Sequence, residues 1–217
     1  MFTRIYYWLH RLVSKPQERG EYSSGVWQDK IRTAALKLCV AAPTRILEVG
    51  CGEGLFLAQV SEAHSKIGLW GVDNSLDRIS QAKIRLAEKN AYLSVGDATS
   101  LSFEDKYFDV VVCVNVFFNM PSIEVVKKTL AQMKRVVRDD GRLIFDFRNS
   151  QNPLLALKYK LAPFYDPTVR SLPLKTYSLG QVREILKELG LEIVSQNYFG
   201  VSCKSWAPII LVEAKKA

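Results

Sequence analysis

The sequence has few of the residues that build metal centres and disulfide frameworks. Its 217 residues include two histidines, and its four cysteines at positions 39, 51, 113 and 203 form no C-x-x-C pair. Zinc sites, iron–sulfur sites and small disulfide scaffolds all need closely spaced or clustered ligands. The four thiols are therefore expected to be isolated and buried, as in a protein of the reducing cytoplasm.

Long apolar runs are also missing. The longest, from Val110 to Met120, is interrupted by two asparagines and is too short to cross a bilayer. Arg4 and Arg11 break up the first apolar segment, which is not typical of a signal peptide. With 48% hydrophobic and 24% charged residues, the chain is expected to form a single globular domain over 1–217.

Basic residues outnumber acidic ones by 30 to 22, and the excess lies at the two ends of the sequence. Residues 1–42 carry seven basic and three acidic side chains (+4), residues 43–147 carry 13 and 14 (−1), and residues 148–217 carry ten and five (+5). Basic flanks favour an anionic partner, such as a phosphorylated or carboxylated small molecule, an acidic lipid surface or nucleic acid. A solvated basic surface without a partner explains the same numbers equally well.

Hydrophobic periodicity predicts alternating helices and strands. Helices are expected at residues 2–14, 26–40, 55–63, 76–89, 123–137 and 179–189. Strands are expected at residues 45–49, 67–72, 91–95, 108–114, 142–147, 191–196 and 208–213, with a turn at Asp140-Gly141. This alternation indicates a parallel sheet covered by helices on both faces, ending in an antiparallel hairpin. The long irregular stretch 148–178 is interpreted as a lid or substrate loop.

Three consecutive predicted strands end in acidic or glycine-rich segments. The first is followed by Gly50-Cys51-Gly52-Glu53-Gly54, the second ends at Asp73, and the third is followed by Gly96-Asp97-Ala98. In open α/β sheets, ligands bind outside the carboxyl ends of the strands. Asp73 is placed to accept hydrogen bonds from ribose hydroxyls, and Asp97 from an adenine amino group.

The charges in this region distinguish between nucleotide ligands. A dinucleotide needs its pyrophosphate at a G-x-G-x-x-G turn, whereas here the third glycine comes one residue early. Glu48 precedes the turn and Glu53 lies inside it. Carboxylates there disfavour a pyrophosphate and suit a ligand with an amino or sulfonium group.

Together these segments resemble the motifs of class I S-adenosylmethionine-dependent methyltransferases, in particular the small-molecule, type 11/25-like group. Residues 46–54 resemble their first motif, Gly71-Val72-Asp73-Asn74-Ser75 the second, and Gly96-Asp97-Ala98 the third. Residues 108–115 and 130–145 resemble the fourth strand and the helix, turn and strand that follow, and 177–194 the closing helix and strand. The likeness covers roughly 44–147 and 177–214.

The resemblance implies a doubly wound α/β fold, with seven strands in the order 3-2-1-4-5-7-6 and the last strand antiparallel. It implies an N-terminal helical cap at 1–42, a cofactor-binding core at 43–147, a lid insertion at 148–176 after strand 5, and a C-terminal helix and hairpin at 177–217. S-Adenosylmethionine would be the cofactor and S-adenosylhomocysteine the product. The implied cofactor contacts are Glu48, Gly50, Cys51, Gly52, Gly54, Asp73, Asn74, Asp97, Ala98 and Asn115.

The sequence offers no clear catalytic base. The weak candidates are Asn115, Tyr165 and Tyr177. Further residues of the unmatched segment are Tyr159, Asp166 and Arg170. His10 and His64 are interpreted as ordinary surface or core residues. Related families often carry a histidine near the position of Asn119. The metal-dependent subgroup has acids where this chain has Asn115, so no metal is expected.

The acceptor is expected to be a small or lipid-like molecule, with an anionic one favoured by the basic flanks. The aromatic residues Phe117, Phe118, Phe164 and Tyr165 would lie near the mouth of the site. One alternative is an RNA or protein methyltransferase that uses the basic flanks. Another is a non-catalytic cofactor binder or a membrane-surface protein that uses residues 1–15. The sequence leaves the oligomeric state open.

Overall fold

A computed structural model describes residues 26–39, 44–64, 66–165, 172–200 and 203–217. The expected helix at 2–14 lies outside these residues. Seven strands form one sheet in the order β3-β2-β1-β4-β5-β7-β6. β1 to β5 run parallel, while β7 is antiparallel to both β5 and β6. The expected strand order and the antiparallel last strand are thus confirmed.

The bounds of the elements follow the predicted pattern closely. The strands are β1 Arg45–Val49, β2 Gly68–Asp73, β3 Ala91–Val95, β4 Phe108–Cys113, β5 Val137–Arg148, β6 Leu191–Phe199 and β7 Ile209–Lys216. The helices are α1 Val26–Leu38, α2 Leu55–Ala63, α3 Leu76–Arg85, α4 Ile123–Val136, α5 Pro153–Tyr165 and α6 Leu179–Glu188. Short 3₁₀ turns occur at Phe117–Asn119 and Lys204–Trp206.

Helix α3 ends four residues earlier than the periodicity predicts. Leu86 leaves the helical conformation at φ −109° and ψ 18°, and its side chain is buried. The next residues form turns, with the Lys89 amide donating to the Leu86 carbonyl at 3.0 Å. Tertiary packing of Leu86 thus overrides the local preference for a longer helix.

The predicted turn at Asp140-Gly141 is wrong, because it lies inside β5. Val137 already pairs with Phe108 of β4, and the pairing resumes at Val110 and Arg142 after an irregularity. A Cβ on Gly141 would lie 2.7 Å from the Asp109 carbonyl oxygen. The glycine therefore allows a close approach between two paired strands, a role that sequence alone does not distinguish from a turn.

The interpretation of 148–178 as irregular is also wrong, because α5 occupies residues 153–165. Asn152 caps this helix through its Oδ1, which accepts a hydrogen bond from the Leu155 amide at 2.7 Å. Pro153 stands at the first helical position, where its missing N–H costs nothing. The Asn-Pro pair is a helix-start signal that the interpretation of this stretch overlooked.

Two apolar clusters cover the two faces of the sheet. One lies beneath α4 and α6 and includes Val111, Phe145 and Leu186; the other lies beneath α1, α2 and α3 and includes Ile31, Val60 and Ile79. The inner parallel strands β1, β2 and β4 are consequently buried on both sides, whereas β3 at the edge of the sheet is largely exposed. No helix among the described residues is long and apolar enough to span a bilayer.

Candidate active site

The turn between β1 and α2 depends on glycine. Gly50, Gly52 and Gly54 have φ of +76°, +51° and +76°, in the left-handed region that other residues rarely adopt. The Gly50 amide donates to the Val72 carbonyl at 2.7 Å, and a Cβ on Gly50 would lie 2.4 Å from Cγ2 of Val116. The backbone is therefore drawn tightly against the ends of β2 and β4.

Asp73, at the end of β2, organises this turn. Its carboxylate accepts hydrogen bonds from the amides of Gly52 at 2.9 Å and Ser75 at 3.0 Å. The side chain is buried, with the Arg78 guanidinium 3.9 Å away. A carboxylate has about four acceptor positions, so two amide bonds leave room for further donors from a ligand.

The end of β3 lies directly beside Asp73. The Gly96 amide donates to the Asp73 carbonyl at 3.0 Å. Asp97 is exposed, and the amide and hydroxyl of Thr99 donate to its carboxylate, which lowers its pKa. Ala98 is half-buried and Asn74 is exposed. The ends of β1, β2 and β3 thus border one continuous edge of the sheet, although the Asp97 carboxylate is engaged in a local turn.

Glu48 lies one residue before the end of β1 and is buried. Burial raises the pKa of this carboxyl well above its usual 4.5; the nearby Arg32 opposes the rise and Asp73 adds to it. Its Oε2 is buried and has no hydrogen-bond partner among the described residues. A buried oxygen in that state favours a cationic donor from a ligand.

Arg32 of α1 brings a positive charge to the same place. Its side chain is only 5% exposed, and the guanidinium lies 3.9 Å from Asp29. Arg32 was not among the predicted site residues, because a charged residue on an N-terminal helix gives no sign that it turns inward. The acid on β1 and the base on α1 therefore lie close enough for their charges to interact.

Cys51 belongs to the same turn, but its side chain points into the core. The thiol is buried, and a Cβ on Gly71 would lie 2.8 Å from its Sγ. Burial, followed by the charges of Glu48 and Asp73, raises its pKa far above the usual value. Cys51 is therefore a neutral packing residue, and its backbone alone contributes to the turn.

A buried ion pair occupies the carboxyl ends of β4 and β5. Arg148 pairs with Asp146 and donates to Oδ1 of Asn115 at 3.0 Å. Asp146 also accepts a hydrogen bond from the Asn115 amide, and Asn115 has φ of +61°. Burial raises the pKa of Asp146, while Arg148 and the Asn115 amide oppose the rise. The pair therefore holds Asn115 in a strained backbone conformation at the site edge.

Asp146 and Arg148 were not among the predicted site residues. The available signal was two charged residues, spaced by two, within the otherwise apolar end of β5. Since side chains alternate along a strand, both project to the same face. The Arg148 guanidinium also lies 4.5 Å from the Phe118 ring centroid, and it hydrogen-bonds with Tyr159 of α5. These contacts connect α5 to the end of β4.

Tyr177 is buried beneath this group. Its hydroxyl donates a long, 3.4 Å hydrogen bond to the Phe117 carbonyl, and burial raises its pKa to about 12, with a further contribution from Glu124. It is therefore protonated at neutral pH. His64 lies at the carboxyl end of α2, away from the glycine turn at the amino end. The Tyr165 side chain, Asp166, Arg170 and His10 lie outside the described residues.

Residues 46–141 match the family model described as a methyltransferase domain. A demethylmenaquinone methyltransferase from Deinococcus radiodurans is 30% identical over 149 residues, covering 66% of this chain and 57% of that protein. A malonyl-[acyl-carrier protein] O-methyltransferase from Geobacter sulfurreducens is 30% identical over 104 residues, covering 48% of this chain and 38% of that protein. The chain thus spans little more than half the length of the first relative, and less of the second.

Solved structures share the fold at lower identity. The magnesium protoporphyrin IX methyltransferase ChlM from Synechocystis PCC 6803, with SAH bound, has a TM-score of 0.69 and 18% identity, covering 99% of this chain and 95% of that one. The PH0226 protein from Pyrococcus horikoshii has a TM-score of 0.69 and 20% identity, covering 98% and 99%. At this identity the likeness concerns the fold.

Proposed function

Because the chain belongs to the class I, Rossmann-like, S-adenosylmethionine-dependent methyltransferases, with its methyltransferase domain at residues 46–141, we propose that it methylates a small-molecule or lipid-like acceptor. The carrying observation is the continuous edge formed by the glycine turn and Asp73. Beside it lies the buried Oε2 of Glu48, which has no hydrogen-bond partner within the described ranges. When bound, S-adenosylmethionine supplies an electrophilic methyl carbon on a sulfonium, which an O, N or C nucleophile displaces in line.

The methionine end of the cofactor carries an ammonium and a carboxylate, and the site offers the opposite charge to each. Glu48 receives the ammonium at its unpartnered Oε2, and Arg32 attracts the carboxylate from α1. Burial keeps the Glu48 pKa high although the nearby Arg32 opposes the rise. A cation brought next to Glu48 favours its ionised form, so binding and deprotonation are coupled.

The nucleoside end follows the remaining strand ends. Asp73 uses its free acceptor positions for the two ribose hydroxyls while its amide bonds hold the carboxylate still. Asn74 and the segment Asp97-Ala98 lie next along the edge, beside the base. The amides of Gly52 and Ser75 fix the Asp73 geometry before any ligand arrives, which reduces the ordering cost of binding.

Asn115 borders the reacting centre, and the ion pair beneath it sets its position. No histidine is present in the loop 115–122 that follows β4. Catalysis then depends mainly on the alignment of nucleophile and methyl group, an effect worth up to about 7–11 kcal/mol in favourable intramolecular cases. An acceptor with a low pKa needs no protein base, which fits a site without a suitable titrating group.

The acceptor class is supported by the surroundings of Asn115. Phe117 is buried, Phe118 stacks against Arg148, and Tyr159 of α5 hydrogen-bonds with Arg148. The similar proteins are named for demethylmenaquinone and for malonyl-[acyl-carrier protein], and neither acceptor is a nucleic acid. An apolar, aromatic surface next to the methyl position suits a small or lipid-like molecule.

Isothermal calorimetry with S-adenosylmethionine, S-adenosylhomocysteine and NAD tests the cofactor. We expect both adenosyl sulfur compounds to bind at one site and NAD not to bind, because the carboxylates of Glu48 and Glu53 at the turn disfavour a pyrophosphate. No binding of either compound at high micromolar concentration would contradict the proposal.

Transfer of a labelled methyl group to total cell extract tests the acceptor. Label in the organic phase or in aqueous small molecules supports the proposed class. Label that stays with RNA or protein after precipitation favours the alternative acceptors.

A further inference from the structure

Helix α5 exposes large apolar side chains on its outer face. Leu154, Leu157, Leu161 and Phe164 are 71%, 53%, 46% and 82% exposed. These are four of the eleven large hydrophobic residues exposed in the described part of the chain, and the others are spread over five further elements. Single exposed apolar residues are ordinary, whereas a concentrated group on one element indicates a contact surface.

The four side chains form one stripe. At about 100° per residue they fall within about 80° of arc around the helix axis. The buried face, formed by Leu155 and Ala162, lies on nearly the opposite side. We call the exposed set the α5 stripe.

Lysines border the α5 stripe on both sides. On the same helical projection, Lys158 and Lys160 each lie about 40° beyond one border of the stripe. Both are exposed, and residues 148–165 contain no Asp or Glu. Long lysine side chains can place their ammonium groups at the level of lipid phosphates while the apolar side chains enter the layer below.

The stripe lies close to the acceptor end of the site. Tyr159, on the inner side of α5, hydrogen-bonds with Arg148, and Arg148 donates to Asn115. The Asn152 cap at the start of the helix donates to the Trp206 carbonyl, which fixes α5 to the β6–β7 connection. A surface that meets the α5 stripe is therefore a few side chains away from the methyl position.

We infer that α5 docks on the surface of an anionic lipid bilayer, with the stripe immersed and Lys158 and Lys160 at the headgroups. The charge of the helix favours this occupant over a second copy of the chain, because two copies would bring four lysines together without an acidic partner on α5. A 13-residue helix is about 20 Å long, which suits a position in the interface plane rather than across it.

This inference deepens the proposed function, because the identity of a membrane-resident acceptor rests on the methyl-transfer activity. The docking itself does not depend on that activity. Vesicle binding can therefore succeed if the cofactor assignment fails, and calorimetry with S-adenosylmethionine can succeed if docking fails.

Flotation of the full chain tests the docking, with vesicles of phosphatidylcholine alone and of phosphatidylcholine mixed with phosphatidylglycerol. We expect binding to the mixed vesicles, weakened by salt, and little binding to the neutral ones. Leu157→Gln with Phe164→Gln should lower the partition coefficient roughly tenfold or more. Lys158→Gln with Lys160→Gln should lower it roughly tenfold on mixed vesicles only.

The matched control is Ile84→Gln with Val194→Gln, which removes two apolar residues that are 79% and 44% exposed on other elements. This control should bind vesicles like the unchanged chain. All six positions of the three paired variants lie at the surface, and equal melting temperatures confirm that folding is retained.

Three results would overturn the inference. The first is no binding of the full chain to mixed vesicles at low salt. The second is binding that the stripe variants leave unchanged, which would assign the contact to residues 1–15. The third is a concentration-dependent dimer in sedimentation that Leu157→Gln abolishes, which would assign the stripe to a second copy.

Discussion

The two ends of the site differ in whether their buried charges are paired. At the cofactor end, β1 and β2 present buried carboxylates, and Oε2 of Glu48 has no partner among the described residues. At the acceptor end, β5 carries a buried carboxylate and a guanidinium that satisfy each other. The first arrangement leaves polar atoms for a ligand. The second uses them to hold the backbone of Asn115, and it leaves contact with the acceptor to apolar side chains.

The difference fits the ligands that we propose for the two ends. A cofactor that is charged and polar along its whole length needs directional partners, which buried acids and glycine amides provide. An apolar or variable acceptor needs a surface that matches its shape and excludes water. An unpaired charge on that surface would be costly to bury. The following five changes test this division, beginning with the largest effect.

Removal of Arg148 should have the largest effect on stability. Arg148→Met leaves Asp146 as an unpaired buried carboxyl, so the free energy of unfolding should fall by about 3–5 kcal/mol. Without the guanidinium, the Asp146 pKa rises further, because Arg148 is the main group that lowers it. A raised acid pKa favours the fold at low pH, so the loss should widen as pH rises. Urea unfolding at several pH values measures it.

The double change Arg148→Met with Asp146→Leu is the control for that experiment. Since neither charge remains, much of the lost stability should return. If Arg148→Met weakened S-adenosylmethionine binding without destabilising the protein, Arg148 would act on the cofactor directly. That result would contradict the division into a cofactor end and an acceptor end.

The glycine turn should show the next largest effect. Gly50→Ala places a Cβ 2.4 Å from Val116 at a φ of +76°. Strain and overpacking should lower the free energy of unfolding by about 2–4 kcal/mol. Thermal unfolding with and without S-adenosylhomocysteine measures both the loss and the remaining ligand stabilisation.

Gly180→Ala is the matched control, because the nearest atom to its added Cβ is Ser178 Oγ at 3.7 Å. Gly180 lies in α6, where alanine should be neutral or stabilising by about 0.5–1 kcal/mol. Equal effects of the two alanines would show that the turn at Gly50 is not tightly packed.

Asp73→Ala should weaken cofactor binding by about 1.5–3 kcal/mol, the range for hydrogen bonds to a charged group. It also removes the acceptor for the Gly52 and Ser75 amides. Calorimetry measures the affinity, and Asp77→Ala, at an exposed carboxylate four residues further on, is the control. An unchanged affinity would remove Asp73 from the site.

Glu48→Gln should change stability and binding in opposite directions. The raised pKa of Glu48 means that the folded state holds its proton more tightly than the unfolded chain. Ionisation therefore costs stability as pH rises above about 4.5. The glutamine variant should be more stable at neutral pH by about 0.5–2 kcal/mol, and equally stable in acid.

The same variant should bind S-adenosylmethionine more weakly, because the ammonium loses its charged partner. Unfolding curves at two pH values and calorimetry at neutral pH test the two signs separately. Glu62→Gln, at an exposed carboxylate of α2, is the control. If Glu48→Gln lost stability at neutral pH, the carboxylate would already be well paired in the fold.

The smallest effect is expected from Tyr177→Phe. The lost hydrogen bond is long at 3.4 Å, so stability should fall by about 0.5–1 kcal/mol. The pKa of about 12 keeps the hydroxyl protonated, so the rate of methyl transfer should not depend on it. A kcat reduced by a hundredfold or more, at unchanged stability, would restore Tyr177 as a catalytic residue.

The backbone elements of the proposed cofactor end were predictable because their signals are local. Each strand end carries its glycine or acid within a few residues, and β1, α2 and β3 occur where the pattern predicts them. Asp73 and Glu48 could thus be chosen from the sequence. Arg32 could not, because its role depends on how α1 packs against β1.

The acceptor end was predicted less well. Tyr177 was selected because of its residue type. In the fold, however, its hydroxyl donates a hydrogen bond to a backbone carbonyl. Asp146 and Arg148 were not predicted, because the role of a charged residue in a strand depends on which side chains lie beside it in the sheet. Helix α5 was read as a loop although Asn152 and Pro153 mark its start.

The sequence by itself determined the α/β alternation, the glycine turn and the acids at the strand ends, because periodicity and backbone conformation are properties of adjacent residues. The tertiary structure alone decided which charges are paired. Whether a buried carboxylate meets a guanidinium, as Asp146 does, or has an oxygen without a partner in the described part of the chain, as Glu48 does, depends on side chains that are distant in the chain and close in space.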